Sequence, residues 1–289
     1  MELLRALATL AEPPAKEHAV LAEVLGLPPA PDSTTHASVF LMELHPYAAV
    51  YLGGEGQLGG EARDRVAGFW RALHQESPDE PDHLSGLLGL AATLTDAEAA
   101  EDDPAAVRLI RSARAALLWE HLLPWMPAFI QRVEEVGGPF YGPWSALLWA
   151  ALQAEVEELS TLDVIPRHLV GVDEASDPRN QSADAFLTSL LTPVRSGLII
   201  LRSDLIHAGA QLGFGLRAGE RRFMLKGLLA QNPHEVLSWL AVEARRQSAS
   251  LSTRLEGLGP ICEHWVGRSS ATADLLVSLA ADAESAVAV

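Results

Sequence analysis

Two carboxylates beside a histidine are the residues whose types and spacing best suit binding chemistry in this sequence. Glu80 and Asp82 flank Pro81, and His83 follows directly. Paired carboxylates can accept bidentate hydrogen bonds from arginine, so this segment could hold a basic peptide. They should also favour the charged form of His83, which predicts a pH effect on binding. A structural role fits equally well: Pro81 would begin a helix, Asp82 would meet its dipole, and His83 would form a local hydrogen bond.

The other titratable residues form no recognisable catalytic or metal-binding pattern. Cys262, Glu263 and His264 are adjacent, but three ligands at such short spacing rarely bind one ion without further partners. The glycine-rich segment 53–60 contains Glu55 and no lysine, so a turn between helices explains it better than a phosphate site. The sequence contains neither G-x-S-x-G nor HExxH. We therefore expect no enzymatic activity, no metal and no cofactor.

The tryptophans indicate an apolar surface near the acidic segment. Most of the seven tryptophans should lie in the core at helical spacing. Trp125 stands between Pro124 and Pro127 at a predicted bend, which makes it the candidate for lining a groove. A helical groove with an apolar floor and acidic walls could receive an apolar peptide that carries a basic end.

Three segments in a fixed order carry a resemblance to a known family. They are residues 46–52 (PYAAVYL), residues 80–84 (EPDHL) and residues 121–129 (HLLPWMPAF). On an acidic, helix-rich chain, this ordered set resembles the TorD-type redox-enzyme maturation chaperones. Ala49 occupies a position where a serine is common in that family. The resemblance covers roughly residues 35–160.

The resemblance implies an all-helical cytoplasmic chaperone without catalytic activity. Such chaperones bind the twin-arginine signal peptide, or the body, of a molybdenum-containing oxidoreductase subunit. They hold that subunit back from export until the molybdopterin cofactor is inserted. Carried over by motif position, the residues that would line or support the peptide- and client-binding surface are Glu80, Asp82, His83, His121, Trp125, Tyr47 and Tyr51.

The elements that must position these residues are predicted to be helices. Ala, Leu, Glu and Arg dominate, and no alternating strand pattern occurs. Pro46 should kink or split a helix at 34–52, and Thr95 with Glu98 suits a capping box that begins a new helix. The fold class is therefore all-α: a multi-helix TorD-like bundle with additional C-terminal helices. Further predicted helices are 17–25, 61–75, 83–94, 104–123, 126–136, 143–162, 194–212, 220–229, 233–255 and 271–283.

The predicted domains are a TorD-like helical core at 1–170, a linker at 171–183 and a C-terminal helical extension at 184–289. The linker contains several polar and helix-breaking residues. The extension is expected to pack on the core or on a partner. Its basic stretch 217–226 could contact the acidic first half, a second chain in a homodimer, or the client, or it could be a solvated face.

The excess negative charge is concentrated in the first half of the chain. The net charge is −17; residues 1–160 contain 9 basic and 24 acidic residues, and residues 161–289 contain 12 and 14. This balance disfavours nucleic acid and anionic membranes as partners. It fits a basic partner of the first half, although solubility alone would also explain it.

Two other function classes also fit the sequence: a small-molecule binder and a scaffold for a complex. A helical small-molecule binder would show an enclosed apolar pocket with convergent polar groups. A complex-scaffolding protein would assemble partners through its C-terminal helices. The absence of a secretory signal pattern and of a long uncharged apolar run in the sequence predicts a cytoplasmic protein.

Overall fold

The computed structural model describes residues 2–159, 164–254 and 258–287. Within these ranges the regular secondary structure is helical and no strand occurs, so the predicted all-α class is confirmed. No described helix is long and apolar enough to cross a membrane. The chain divides into two compact units, Met1–Pro166 with Glu256–Ile261 and Arg167–Leu255 with Cys262–Val289. The predicted helix ends at Leu162 and Leu255 lie outside the described residues.

The first unit contains the helices that carry the three sequence motifs. Two π-helical turns, Ala37–Leu41 and Leu117–Leu122, interrupt its α-helical segments. Its α-helices are α1 (Glu2–Leu10), α2 (Lys16–Val24), α3 (Ser33–His36), α4 (Ala48–Leu52), α5 (Glu61–Ala72), α6 (Leu84–Ala100), α7 (Pro104–Ala116), α8 (Met126–Val136) and α9 (Gly138–Leu159).

The core of the first unit is built around α6 and a group of buried aromatic rings. Helix α6 packs against α1 and α7, and α8 packs against α9. The Phe40 ring meets the Tyr141 ring edge-on, with centroids 4.6 Å apart. Such aromatic pairs add to the free energy gained by burying apolar surface. The largest buried aromatic side chains of this core are Phe40, Tyr51, Trp125, Phe129, Tyr141 and Trp144.

Some of the predicted helix boundaries agree with the structure, and others do not. The segment 34–52 is split around Pro46, as predicted, because residues 42–47 are not helical. The predicted new helix at Thr95 is wrong, since α6 continues through it and Thr95 donates its hydroxyl hydrogen bond to the Ala91 carbonyl (2.9 Å). Glu98 does not complete a capping box; it accepts a hydrogen bond from Arg114 on α7 (2.6 Å).

The second unit has its own hydrophobic core, which includes Leu190, Leu205, Leu225, Leu240 and Leu276. The last helix begins at Gly259, well before the predicted residue 271. The helices of the C-terminal part of the chain are α10 (Arg167–Val170), α11 (Ala183–Leu190), α12 (Pro193–Ser196), α13 (Arg202–Leu212), α14 (Arg221–Leu229), α15 (Pro233–Ser252) and α16 (Gly259–Val287).

The segment 171–183, predicted as a linker, is non-helical except at Ala183 and lies inside the second unit. Arg195 donates a hydrogen bond to the Glu174 carbonyl oxygen (3.0 Å), and the backbone N–H of Ser176 donates one to Ser189 Oγ (2.8 Å). Side-chain and backbone hydrogen bonds therefore hold this segment against α11 and α12 of the same unit.

The basic stretch 217–226 also makes contacts within the second unit. Arg222 and Lys226 pair with Asp184 at 2.7 and 3.1 Å. Arg221 donates a hydrogen bond to the Ile200 carbonyl oxygen (2.9 Å). These three cations thus bind groups of their own unit.

Candidate functional site

Two of the three sequence motifs are joined by backbone hydrogen bonds. Tyr47 and His83 form an isolated antiparallel bridge. The N–H of Ala48 donates to the Asp82 carbonyl (3.1 Å), and the N–H of Leu84 donates to the Pro46 carbonyl (2.8 Å). The short extended segments before α4 and before α6 therefore lie side by side, and their side chains meet.

Asp82 is buried where the segments before α4 and α6 meet, and it stabilises their contact. Its side chain is buried (3% exposed), and its carboxylate accepts a hydrogen bond from the N–H of Ala49 (2.9 Å) in the first turn of α4. Burial raises the pKa of Asp82, although the Ala49 hydrogen bond opposes this change. The expectation that Asp82 accepts a hydrogen bond from a peptide arginine is not met in this structure, because the carboxylate is inaccessible. Asp82 instead supports the junction.

His83 is the N-cap of α6, and its ring is at the centre of several polar groups. Its Nδ1 lies 2.6 Å from Ser85 Oγ and 3.6 Å from a carboxylate oxygen of Glu12. Burial lowers the pKa of His83 despite the opposing influence of Glu12, Glu80 and Asp82. The prediction that the carboxylates favour the charged form is therefore wrong in its net result, because loss of hydration outweighs them.

Glu80 is the exposed carboxylate of the motif. It accepts a hydrogen bond from the Tyr47 hydroxyl (2.8 Å), and the Tyr47 ring meets the His83 ring edge-on with centroids 4.7 Å apart. Burial and the bond to Glu80 raise the pKa of Tyr47, so its hydroxyl stays protonated as a donor. Tyr47 thereby orients Glu80 beside His83.

Glu12 and Ser85 complete this site, and sequence reasoning missed both. The Ser85 hydroxyl donates a hydrogen bond to Glu12, which lies 73 residues upstream in the chain. Glu12 follows α1, and two buried histidines bind the same turn: His18 contacts the Glu12 carbonyl (3.2 Å) and His36 the Ala11 carbonyl (3.3 Å). We call the set Glu12, Tyr47, Glu80, Asp82, His83 and Ser85 the His83 cluster.

Tyr51 and Trp125 lie in the core. The Tyr51 ring stacks on the Trp125 indole at 5.3 Å with an interplanar angle of 9°, and both are essentially unexposed. The Tyr51 hydroxyl donates to the His45 carbonyl (2.9 Å), and Trp125 Nε1 donates to the His121 carbonyl (2.9 Å). The prediction that Trp125 lines a groove is therefore wrong for this structure. This buried stack packs the 46–52 motif against the 121–129 motif.

His121 occupies a different environment from His83. Its ring packs against Phe69 of α5 with centroids 4.9 Å apart. Burial, with a smaller contribution from Arg65, lowers the pKa of His121 to about 4. It is therefore neutral at neutral pH and contributes to the packing of α5 against the 117–122 turn.

An open groove of about 610 Å³ adjoins the His83 cluster. Helices α1 and α6 form two of its walls, and the end of α5 with the following loop forms the third. Glu12 and Ser85 belong both to the cluster and to the groove. The other lining residues are Arg5, Ala8, Thr9, Trp70, Gln75, Pro78, Gly86, Gly89, Leu90 and Thr93.

In the described part of the chain, no three His, Cys, Asp or Glu side chains are placed so that they could hold a metal ion together, and this includes Cys262, Glu263 and His264. Burial raises the pKa of the Cys262 thiol to about 12 and lowers the pKa of His264 to about 4. At neutral pH the thiol is protonated and the imidazole is neutral. Both residues are therefore best explained as packed side chains of α16.

Comparison with known proteins gives one family match. Residues 33–131 match the family model described as nitrate reductase delta subunit. This range is about a third of the chain, and it contains all seven residues that the motifs point to. No curated protein and no solved structure gives a significant match. The resemblance to the TorD-type maturation chaperones is confirmed over this segment.

Proposed function

We propose that this protein is a chaperone that binds the twin-arginine signal peptide, or the apo-form, of a molybdenum-containing oxidoreductase subunit. It assists insertion of the cofactor before export or assembly, which puts this step in the cytoplasm. The observation that carries the proposal is the His83 cluster. Two motifs of the matched segment supply four of its six residues, and the cluster presents an exposed carboxylate that a hydrogen bond from Tyr47 orients.

The cluster suits a guanidinium group better than a neutral ligand. Glu80 is exposed and oriented by Tyr47. Glu12 has a half-exposed side chain and lies 3.6 Å from His83 Nδ1. Because burial lowers the pKa of His83, the ring adds no positive charge at neutral pH. Two accessible carboxylates attract the paired arginines of a twin-arginine signal.

A role without catalysis fits the same geometry. Ser85 is hydrogen-bonded to Glu12 and lies beside His83, but the serine stands between the acid and the base. In a catalytic triad the base lies between the acid and the nucleophile. We propose that the polar contacts of this cluster bind and orient a client rather than activate a nucleophile.

We further propose that the two regions of the chain bind different parts of the client. The core 1–170 would recognise the client, and the region 184–289 would contact the body of the client or a second copy in a homodimer. The alternative of a small-molecule binder requires an enclosed apolar pocket. The groove beside the His83 cluster is open, which favours a peptide.

Calorimetry with the full chain tests the proposal. The titrants are a twin-arginine signal peptide from a molybdenum-containing oxidoreductase of the same organism and the apo-form of that subunit. We expect saturable binding, and weaker binding of a control peptide in which both arginines are glutamine. Absence of binding to signal peptides and apo-subunits alike would overturn the proposal.

A further inference from the structure

The groove beside the His83 cluster runs along two antiparallel helices. At one end the Ser85 hydroxyl donates to Glu12, and at the other end Arg5 pairs with Asp96 at 2.5 Å. Residues early in α6 thus meet the end of α1, and residues late in α6 meet its beginning. The groove-lining residues of α6 run from Ser85 to Thr93, which is roughly 12 Å at the helical rise. That length accommodates about four residues of extended peptide.

The wall formed by α6 has two glycines that leave space for another chain. Gly86 and Gly89 both line the groove. A Cβ atom built at Gly89 would meet no atom within 4 Å, and one at Gly86 would make only ordinary contacts at 3.9 Å. Packing inside the protein therefore does not require glycine at position 89. A glycine inside a helix destabilises that helix relative to alanine, so the open space at Gly89 is kept at the expense of helix stability.

The groove has both apolar and polar lining residues, and it is acidic at one end. Trp70 and Pro78 contribute apolar surface that is not buried, and the indole face of Trp70 can also receive a cation. Glu12 supplies the charge at one end, and its side chain is 47% exposed. At the other end the charge of Arg5 is offset by Asp96. The charge distribution therefore fits a peptide with a basic residue followed by apolar residues.

We infer that the groove between α1 and α6 holds the client peptide, with Glu12 binding an arginine side chain and Gly86 and Gly89 giving room to the apolar residues that follow. This inference rests on the proposed function and deepens it. It adds a recognition residue that lies outside the matched range 33–131, on a turn whose position is fixed by His18 and His36.

The test uses the full chain, a twin-arginine signal peptide and two variants, E12Q and G89L. Glutamine can still accept the Ser85 hydrogen bond but carries no charge. Leucine at position 89 fills the groove and replaces a helix-weakening glycine. The matched control is G227L, at an exposed glycine of α14 in the second unit where a Cβ would also meet nothing within 4 Å. Thermal unfolding of each variant verifies the fold.

We expect E12Q to weaken binding about tenfold, as loss of a charge-assisted hydrogen bond does, and to affect a peptide whose arginines are glutamine much less. We expect G89L to abolish measurable binding while its melting temperature is maintained or raised, and G227L to bind like the wild type. Wild-type affinity in either E12Q or G89L would overturn the inference and leave the proposed function standing. Failure of the wild-type protein to bind any client would overturn the proposed function itself.

Discussion

At the scale of single residues, the two carboxylates of the motif 80–83 differ in exposure and therefore in role. Glu80 is exposed and Asp82 is buried. The sequence pattern identifies both residues, but it does not distinguish them. Their exposure depends on the bridge to Tyr47, which is distant in the chain. Glu12 has no sequence signal for the same reason, because only the packing of α1 on α6 brings it to His83.

Removal of the Asp82 side chain should destabilise the junction of the two motifs. In D82A the buried N–H of Ala49 loses its acceptor, which should lower the free energy of unfolding by about 1–3 kcal/mol. In D82N an oxygen acceptor remains, and burial, which raises the pKa of Asp82, disfavours the charged form there, so the loss should be smaller. Urea unfolding of the two variants compares them. Equal destabilisation would contradict the role assigned to the Ala49 hydrogen bond.

Client affinity should fall when the solution is acidified below the ordinary histidine range. Burial lowers the pKa of His83, so the ring is neutral at about pH 7. Protonation at lower pH adds a positive charge beside Tyr47 and among Glu12, Glu80 and Asp82, and this charge repels a bound arginine. The affinity of H83Q should therefore depend less on pH between about pH 7 and pH 5. Identical pH profiles, measured by calorimetry, would show that His83 does not control binding.

At the scale of helices, α6 organises the first unit because it packs against both α1 and α7 and its N-cap is His83. Periodicity and caps predict many helix boundaries, such as the start of α15 after Asn232, whose side chain accepts a hydrogen bond from the N–H of Glu235 (3.2 Å). Caps predict a wrong boundary at Thr95, because Glu98, the second residue of the local capping pattern, forms an ion pair with another helix instead. Glu98 binds Arg114 on another helix, and local sequence does not reveal that partner.

Arg114 should be a principal stabilising residue of this helix arrangement. Its guanidinium is 3% exposed and contacts Glu98, Glu155 and Glu158 at 2.6, 2.8 and 3.1 Å, which ties α7 to α6 and α9. In R114A the largely buried Glu98 and Glu155 lose their shared cation, which should cost about 3–5 kcal/mol. The control R108A removes an exposed arginine from the same helix and should change the stability by less than about 0.5 kcal/mol. Similar unfolding midpoints for the two variants would refute this role.

At the scale of the whole molecule, the sequence suffices for the all-α class and for the acidic character of the first half. The match over residues 33–131 covers the motifs but not α1, which supplies one wall of the groove. Sequence patterns could not place segment 171–183 in the second unit, because Arg195 and Ser189 hold it through hydrogen bonds between residues distant in the chain. Helical periodicity predicts which face of a helix is apolar, not which helix covers it.

The concentration of charge predicts how client association responds to salt. Residues 1–160 contain 24 acidic and 9 basic residues, so their field should accelerate the approach of an arginine-bearing peptide. Salt screens this field, with a Debye length of about 10 Å at 0.1 M. We expect the association rate, measured by stopped-flow fluorescence, to fall as salt increases while the dissociation rate changes less. A salt-independent association rate would contradict a role for the acidic surface.

The most direct test of the central claim is the location of a bound client peptide on the full chain. A twin-arginine signal peptide with a photoreactive residue next to its arginines is cross-linked to the protein, and the attachment points are identified by mass spectrometry. We predict cross-links to the first unit around residues 78–86 and to the turn that contains Glu12. They should be lost when the arginines are replaced by glutamine. Arginine-dependent cross-links confined to the second unit, or no cross-links at all, would contradict the account.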